Sequence, residues 1–192
     1  MGAKKLKWDM PPMRLLKFNV DASCVNREDG EGYKAGVGGI LRDYEGEMVL
    51  SVKASMLASI AHHAEAEFYA VQLALEVLLE NNRNVLNTII ETDSEEVFKK
   101  LSNPMILDSE FNSKHKIINK ILAMRPTNTK LLVSHVKRQC NEIADKLAAD
   151  GVLLPEGEKV LYYNTLDMGD EYVKKIYDEK RGFLHTRRAR TF

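Results

Sequence analysis

The 192-residue sequence has few cysteines and no long apolar run. Cys24 and Cys140 lie far apart, and two cysteines cannot build the disulfide framework of a small secreted domain. We therefore expect reduced thiols in an intracellular protein, in the nucleus or the cytoplasm. No stretch approaches the ~18 uninterrupted apolar residues of a membrane span. Lys4 and Lys5 are followed by no apolar segment, so we expect no secretory signal.

The sequence also lacks a net charge, because 28 lysines and arginines balance 28 aspartates and glutamates. At face value this balance argues against a protein that binds nucleic acid. The charge is unevenly distributed, however: residues 1–17 carry +4, residues 172–192 carry +5 and residues 18–171 carry −9. Basic ends of this kind are typical of solvated termini and also of segments that contact nucleic acid, and both interpretations stay open.

What the sequence does contain is the pattern of one α/β domain. Residues 16–80 predict three strands and a long helix, with a turn at Asp43–Gly46 that favours an antiparallel meander. Residues 85–150 predict a strand, two helices, a strand and a helix, so that the order is βββαβααβα. In chain order the predicted ranges are 16–21, 37–42, 48–55, 59–80, 85–91, 94–103, 112–124, 130–136 and 141–150.

The boundaries of the domain follow from this pattern. Ser94 is the expected N-cap of the second helix, Pro104 stops that helix, and Gly151 ends the last one. After Pro155 the periodicity weakens, with one short helix expected around residues 170–177. We therefore divide the chain into a basic N-terminal segment, an α/β domain and a C-terminal appendage that is basic at its end. The three parts are residues 1–13, 14–152 and 153–192.

Acidic residues recur where strands end and where helices face the sheet. Asp21 ends the first strand, Asp93 follows the fourth, and Glu67 and Asp145 lie within helices. Sites in open α/β sheets form at the carboxyl ends of strands, and oxygen-only clusters suit Mg²⁺ or Mn²⁺. Taken singly, Asp93 is equally typical of a turn and Asp145 of a solvated helix position. The spacing alone indicates a candidate metal site and nothing more specific.

Four segments resemble the ribonuclease H family, and especially the single-domain plant proteins related to the ribonuclease H portion of plant retroelement reverse transcriptases. With Trp8 and the two prolines at 11 and 12, which precede the first segment, the resemblance covers about residues 8–151, in the order that the periodicity predicts. The first is Lys-Phe-Asn-Val-Asp-Ala-Ser at 17–23, continued by Ala-Gly-Val-Gly-Gly-Ile-Leu-Arg-Asp at 35–43. The second is Ala-Glu-Phe-Tyr-Ala at 66–70, and the third is Glu-Thr-Asp-Ser at 91–94. The fourth is Ser-His-Val-Lys-Arg at 134–138 with Asn-Glu-Ile-Ala-Asp-Lys-Leu-Ala at 141–148.

The resemblance implies a fold, a reaction and a set of residues. The implied fold is ribonuclease H-like: a five-stranded mixed sheet, three strands antiparallel and then two parallel, flanked by helices. The implied reaction is hydrolysis of the RNA strand of an RNA–DNA hybrid, giving 5′-phosphate products, with two Mg²⁺ ions that Mn²⁺ can replace. The residues that match the family's four metal-binding carboxylates and its catalytic histidine are Asp21, Glu67, Asp93, Asp145 and His135.

Five further residues are candidates for substrate contact: the backbone amides of Gly38 and Gly39, the hydroxyls of Ser23 and Ser94, and the amide of Asn141. His135 is also consistent with a histidine that merely ends a strand and is held by its neighbours. The expected partner is an RNA–DNA hybrid, recognised through the 2′-hydroxyls of its RNA strand. We expect no membrane partner and a monomer.

Two departures from the family keep a second function open. His63 and Ala64 stand where bacterial members carry asparagines that contact RNA, and the stretch from 101 to 130 is too short for a basic protrusion. Both features favour a catalytically weak or inactive nucleic-acid-binding module derived from a retroelement. A third interpretation is a retroelement relic whose aromatic tail docks a protein partner, against the simpler alternative that the tail packs onto the domain. The arginine cluster at 187–190 is typical of a nuclear address, a nucleic-acid patch or a solubilising tail.

Overall fold

A computed structural model describes residues 6–27, 32–57, 63–103, 113–124 and 129–183. Over these ranges the chain forms strands and helices that we number in chain order. The strands are Leu16–Asn26 (β1), Tyr33–Arg42 (β2), Met48–Ser55 (β3), Thr88–Thr92 (β4), Leu132–His135 (β5) and Lys159–Tyr162 (β6). The helices are His63–Glu80 (α1), Glu95–Ser102 (α2), Ser113–Ala123 (α3), Glu142–Val152 (α4) and Asp170–Lys180 (α5). Within the described ranges, no helix is both long and apolar enough to cross a bilayer.

All six strands form one mixed sheet in the order β5-β4-β1-β2-β3-β6. The first three strands make the predicted antiparallel meander, in a register that places Asp21 opposite Gly38. β4 runs parallel to β1, and β5 runs parallel to β4, so the two parallel strands are also confirmed. The register of β1 and β4 brings Asp21 level with Asp93, which follows β4. Asp21 itself lies in the middle of β1 and does not end the strand as predicted.

The prediction of five strands is wrong, because β6 adds a sixth strand at the sheet edge. It pairs antiparallel with β3, with Leu161 opposite Val52. β6 has only four residues, so an alternating pattern could not stand out in the sequence. It follows a turn at Gly157, whose φ of +79° suits glycine better than other residues.

Helices cover both faces of the sheet. α1 packs against one face, where Phe18 and Val20 of β1 join the larger apolar core, and α3 packs onto α1. α4 and α5 cover the opposite face, where Ile40 of β2 packs with Ile143 and Ile176. Because side chains alternate across a strand, the polar residues of β1 between these apolar ones share the α4 face. Those polar residues are Lys17, Asn19 and Asp21.

The approach of α4 to β2 depends on glycines. A Cβ atom on Gly38 would lie 2.3 Å from the backbone nitrogen of Ala148, and one on Gly151 would lie 2.6 Å from the carbonyl oxygen of Ala54. α4 continues through Gly151 to Val152, so the prediction that Gly151 ends the helix is wrong by one residue. Its glycine identity serves close packing rather than a helix end.

Several other boundaries differ from the prediction. β1 continues to Asn26 and β2 begins at Tyr33, so part of the predicted polar loop is strand. β4 begins at Thr88 rather than at Val85, because residues 85–87 form a 3₁₀ turn capped by the side chain of Asn84. The predicted helix start at residue 59 and the helix stop at Pro104 lie outside the described residues.

The C-terminal appendage packs onto the domain wherever the structure describes it. β6 extends the sheet, and α5 is longer than predicted, running to Lys180. Tyr172 of α5 is buried, and its hydroxyl donates a hydrogen bond of 2.7 Å to Asp150 of α4. β6 and α5 of the tail thus pack onto the domain, whereas the arginine cluster at 187–190 lies outside the described part of the chain.

Candidate metal centre

Asp21 lies in the middle of β1, on the face that α4 covers. Its residue is only 4% exposed, and its Oδ1 accepts a hydrogen bond of 2.9 Å from the backbone N–H of Ala22. A carboxylate on an interior strand has little access to water, so its charge must be balanced by groups that the fold brings to it.

Two more carboxylates reach Asp21 from other elements. Glu67 lies in the first turns of α1, and Asp93 follows the end of β4. The hydroxyl of Ser94 accepts a hydrogen bond from Val97 N–H, which confirms Ser94 as the N-cap of α2 and fixes the corner at Asp93. One carboxylate oxygen from each of the three acids lies within 4.8 Å of the other two. The structure therefore assembles three of the four predicted ligands.

Burial and mutual repulsion raise the pKa values of these acids. Burial contributes most to the pKa of Asp21, which rises to about 8, and the charges of Glu67 and Asp93 add to the effect. Burial and Asp93 likewise raise the pKa of Glu67 to about 8. The Ala22 N–H and the Arg138 guanidinium act in the opposite direction on Asp21. Without a cation, the cluster therefore holds protons near neutral pH that a metal ion would displace.

The residues present fit a divalent cation. Oε2 of Glu67 is buried and lacks a hydrogen-bond partner among the described residues, an arrangement that is costly unless something else satisfies it. The ligands are all oxygens, which is the donor set of hard cations such as Mg²⁺ and Mn²⁺. A cation among Asp21, Glu67 and Asp93 would satisfy the free oxygen and cancel the repulsion at once.

Asp145, the fourth predicted ligand, lies outside this set of three. It is on the first turns of α4, and its Oδ1 is 3.7 Å from Nη2 of Arg138. The same guanidinium interacts electrostatically with Asp21 and Glu67, whose pKa values it lowers. Arg138 therefore connects Asp145 electrostatically to Asp21 and Glu67. The resemblance motif included Arg138, but its position in the sequence gave no indication of this role.

His135 ends β5 beside the cluster. Its side chain is exposed, and its Nε2 is 3.1 Å from the backbone oxygen of Asp93, to which it can only donate. The ring also packs against Phe98 of α2, with 6.0 Å between ring centroids. The histidine is thus next to the carboxylates and open to solvent, as a residue that exchanges protons with a substrate must be.

The five candidate substrate contacts fall into two groups. Ser23 and Ser94 are partly exposed, so contact with substrate stays a prediction for both. Gly38 and Gly39 are buried in β2, paired with β1 on one side and β3 on the other, which corrects their assignment as substrate contacts. They are glycines because a Cβ would meet Leu147 or Phe18.

Asn141 also departs from its predicted role. It is 2% exposed, and its Nδ2 donates a hydrogen bond of 2.9 Å to the carbonyl oxygen of Val20, the residue before Asp21. Its Oδ1 accepts a bond of 3.3 Å from Nδ2 of Asn19. Because the amide is committed inside the protein, we assign Asn141 to holding β1 and α4 together, not to substrate.

A buried polar network lies behind the carboxylates and was not predicted. Glu91 of β4 is its centre: it accepts hydrogen bonds from Nε1 of Trp8 at 3.0 Å and from Nδ2 of Asn19 at 2.8 Å, and it pairs with Nζ of Lys17 at 2.9 Å. The sequence did contain a signal for this network. Lys17 and Asn19 alternate with apolar residues along β1, and the strand pattern alone does not explain why these two positions are polar.

Comparisons with known proteins identify the family to which the chain belongs. A family model described as reverse transcriptase-like matches residues 19–151. A search of the curated proteins by sequence finds no match. The narrower resemblance to plant members stays a prediction.

Solved structures are similar to the chain over most of their length. Ribonuclease H1 from the halophilic archaeon Halobacterium salinarum has a TM-score of 0.60 at 22% identity, covering 71% of this chain and 96% of that one. LC11-RNase H1, isolated from compost by a metagenomic approach and solved with an RNA/DNA hybrid, has a TM-score of 0.59 at 19% identity, covering 71% and 96%. The RNase H domain of prototype foamy virus has a TM-score of 0.56 at 23% identity, covering 74% and 96%. Since the family model spans well over half of the sequence, the chain belongs to the reverse transcriptase-like family of ribonuclease H proteins.

Proposed function

We propose that the protein is a metal-dependent endonuclease that hydrolyses the RNA strand of RNA–DNA hybrids. The observation that carries this proposal is the cluster of the Asp21, Glu67 and Asp93 carboxylates, in which Oε2 of Glu67 is buried without a hydrogen-bond partner among the described residues. Its support from similar proteins is that LC11-RNase H1, with the same fold, was solved in complex with an RNA/DNA hybrid.

The acidic side chains are the groups that would hold the cations. Asp21, Glu67 and Asp93 provide the common site, and Asp145 completes a second position once Arg138 moves aside. Divalent cations bound there supply the charge that activates a water molecule and stabilises the departing oxygen in phosphodiester hydrolysis. Mg²⁺ is the proposed ion, with Mn²⁺ as a substitute, because both prefer carboxylate oxygens.

The other residues of the site orient substrate and move protons. His135 is exposed beside Asp93 and can take or give a proton at its Nδ1 while Nε2 donates to the Asp93 carbonyl. Ser23 lies two residues beyond Asp21 on β1 and is partly exposed, so its hydroxyl can contact a 2′-hydroxyl of the RNA strand. A deoxyribose offers no such group, which is how the site would distinguish the two strands.

A non-hydrolytic binding module is the second candidate. It is favoured by the Arg138 guanidinium beside the carboxylates, which offers phosphate a cation without any metal. This alternative predicts binding of hybrid or duplex RNA that weakens with added salt, and no cleavage. Binding unchanged in ~1 M salt would count against it. The monomeric state and a protein partner for the tail stay predictions.

Cleavage of a labelled hybrid separates the two candidates. Purified protein, Mg²⁺ and a hybrid labelled on the RNA strand should give products with 5′-phosphate ends, with the DNA strand intact. Asp93→Asn should lower the rate by more than about a hundredfold, because it removes one of the charges that organise the site. Asp167→Asn, at an exposed acid far along the chain, is the matched control and should cleave as the wild type does. Equal rates for the wild type and Asp93→Asn would overturn the proposal.

A further inference from the structure

Four buried polar side chains connect the C-terminal helix to the metal centre. We call Glu179, Arg42, Asn19 and Asn141 the polar relay. Nη1 of Arg42 donates to Oε2 of Glu179 at 2.7 Å, and Nη2 of the same guanidinium donates to Oδ1 of Asn19 at 2.8 Å. Nδ2 of Asn19 then donates to Oδ1 of Asn141 at 3.3 Å. The relay therefore runs from α5 through β2 and β1 to the start of α4.

The ion pair that begins the relay is almost completely buried. Arg42 is 1% exposed and Glu179 is 3% exposed. The guanidinium carbon of Arg42 lies 3.4 Å from the centre of the Trp8 ring, so the N-terminal segment covers the pair. A buried ion pair is no more stabilising than well-packed apolar side chains of the same size, so stability alone does not explain why charges occupy this position.

The far end of the relay reaches the backbone next to Asp21, and Asn141 itself lies one helical turn before Asp145. Nδ2 of Asn141 donates to the carbonyl oxygen of Val20, directly before Asp21, at 2.9 Å. The carbonyl oxygen of Asn141 accepts from the backbone N–H of Asp145 at 3.0 Å. The side chain of Asn141 thus holds β1, beside Asp21, to the start of α4, the helix that carries Asp145.

The relay begins outside the part of the chain that defines the family. The family model ends at residue 151, whereas Glu179 lies on α5, at 170–180. We propose that the polar relay positions the metal centre, so that Glu179 of α5 and Arg42 of β2 are positioning residues for Asp21 and Asp145. This inference rests on the proposed function, because it requires that the carboxylates bind divalent cations.

The forked guanidinium of Arg42 is what links the two halves of the relay. Arg42 holds Glu179 and Asn19 with two different nitrogens, and a lysine ammonium at the same place cannot reach both in that geometry. Arg42→Lys keeps a cation beside Glu179 but disconnects Asn19. Groups that orient metal ligands without touching the metal are worth about tenfold to a hundredfold in metal affinity or activity.

The test measures cation binding without substrate. The melting temperature of full-length protein is recorded as Mg²⁺ is titrated, and the concentration at half of the maximal shift is compared between variants. Arg42→Lys should raise that concentration by about tenfold. With hybrid present, it should lower kcat by about tenfold while the KM for hybrid stays within about twofold.

Two further variants control the experiment. Tyr172→Phe removes the hydrogen bond from α5 to Asp150, so it loosens α5 without touching the relay and should leave the Mg²⁺ dependence unchanged. Arg42→Met combined with Glu179→Met replaces the ion pair by apolar side chains, so it keeps the fold even if Arg42→Lys does not. It should shift the Mg²⁺ dependence in the same direction as Arg42→Lys.

The outcomes separate the inference from the proposed function. If the wild type shows a Mg²⁺-dependent shift and both relay variants retain it at the same concentrations, the relay does not position the metal centre and the inference is overturned. If Tyr172→Phe changes the Mg²⁺ dependence as much as Arg42→Lys does, loosening of α5 explains the result and the inference is again overturned. A wild type with no shift in Mg²⁺ would overturn the proposed function and the inference together.

Discussion

Arg138 and Asp145 face each other at the edge of the metal centre, with Nη2 of the arginine 3.7 Å from Oδ1 of the aspartate. The arginine side chain is 70% exposed and the aspartate side chain is 13% exposed. The guanidinium also lowers the pKa values of Asp21 and Glu67. In the absence of metal, Arg138 is thus a cation that partly compensates the acidic cluster.

Removing Arg138 should therefore help divalent cations to bind. Exposed ion pairs contribute up to about 1 kcal/mol, so we expect Arg138→Ala to lower the Mg²⁺ concentration at half-maximal thermal stabilisation by up to about fivefold. Lys137→Ala, at the exposed neighbouring position, is the matched control and should have little effect. Weaker Mg²⁺ binding by Arg138→Ala would mean that the arginine supports the metal site instead of competing with the cation.

The raised pKa values of Asp21 and Glu67 predict a pH dependence of stability. Both carboxyls take up protons more readily in the folded protein, with pKa values of about 8, than in the unfolded chain, with pKa values near 4. Their contribution to the free energy of unfolding is therefore greatest in acid, below the unfolded values, and falls as the pH rises from ~4 to ~8. In EDTA we expect the melting temperature to fall across the upper part of this window, and Mg²⁺ to remove most of the fall.

The same linkage predicts that Asp21→Asn changes the melting temperature in opposite directions relative to the wild type in EDTA and in Mg²⁺. In EDTA at pH 8, Asp21→Asn should melt at a higher temperature than the wild type, because it removes one of three repelling carboxylates. In Mg²⁺ the wild type should be stabilised more than Asp21→Asn. A wild-type melting temperature that stays flat or rises from pH 5 to pH 8 in EDTA would contradict the expected linkage.

His135 should affect turnover without affecting metal binding. Its side chain is exposed and touches the backbone of Asp93 rather than the carboxylates. General acid–base groups contribute about a hundredfold or more to rates, so His135→Ala should lower kcat for hybrid cleavage by at least about tenfold. The Mg²⁺-dependent melting shift should remain that of the wild type. If His135→Ala changed the Mg²⁺ dependence but kept the kcat of the wild type, His135 would support the structure of the metal site and would not take part in proton transfer.

Gly38 should tolerate no side chain. A Cβ at this position would lie 2.3 Å from the backbone nitrogen of Ala148, so α4 would have to move away from β2. We expect Gly38→Ala to lower the free energy of unfolding by about 1–3 kcal/mol and to reduce Mg²⁺ affinity, since α4 carries Asp145. Thermal unfolding measures the first effect, and the Mg²⁺ titration measures the second. A variant that melts within about 1 °C of the wild type would contradict the close approach.

The sequence predicted the elements whose patterns are local. The meander of β1 to β3 and the cap at Ser94 follow from alternation, turn residues and helix capping, whereas the parallel placement of β4 and β5 was implied by the family resemblance. The order of elements placed Asp21 and Asp93 on neighbouring strands, and the structure brings their carboxylates together with that of Glu67. Such predictions need only neighbours in the chain and the rules of sheet pairing.

Features that depend on distant contacts were missed. β6 is a strand only because β3 offers an edge, and Gly151 is a glycine because the backbone of Ala54 lies against it. The side-chain amide of Asn141 is of a type that often contacts substrate, but it is buried and bonded to the carbonyl oxygen of Val20 instead. Arg42 and Glu179 are 137 residues apart in the sequence, so no local pattern could have paired them.

The most direct test of the proposed metal centre is a crystal structure with Mn²⁺, located by its anomalous scattering. Two peaks among the carboxylates of Asp21, Glu67, Asp93 and Asp145 are expected, with Oε2 of Glu67 bound to one of the ions. The Arg138 guanidinium should have moved away from Asp145. An anomalous map without a peak among these four carboxylates, at an Mn²⁺ concentration that saturates the melting shift, would contradict the proposal.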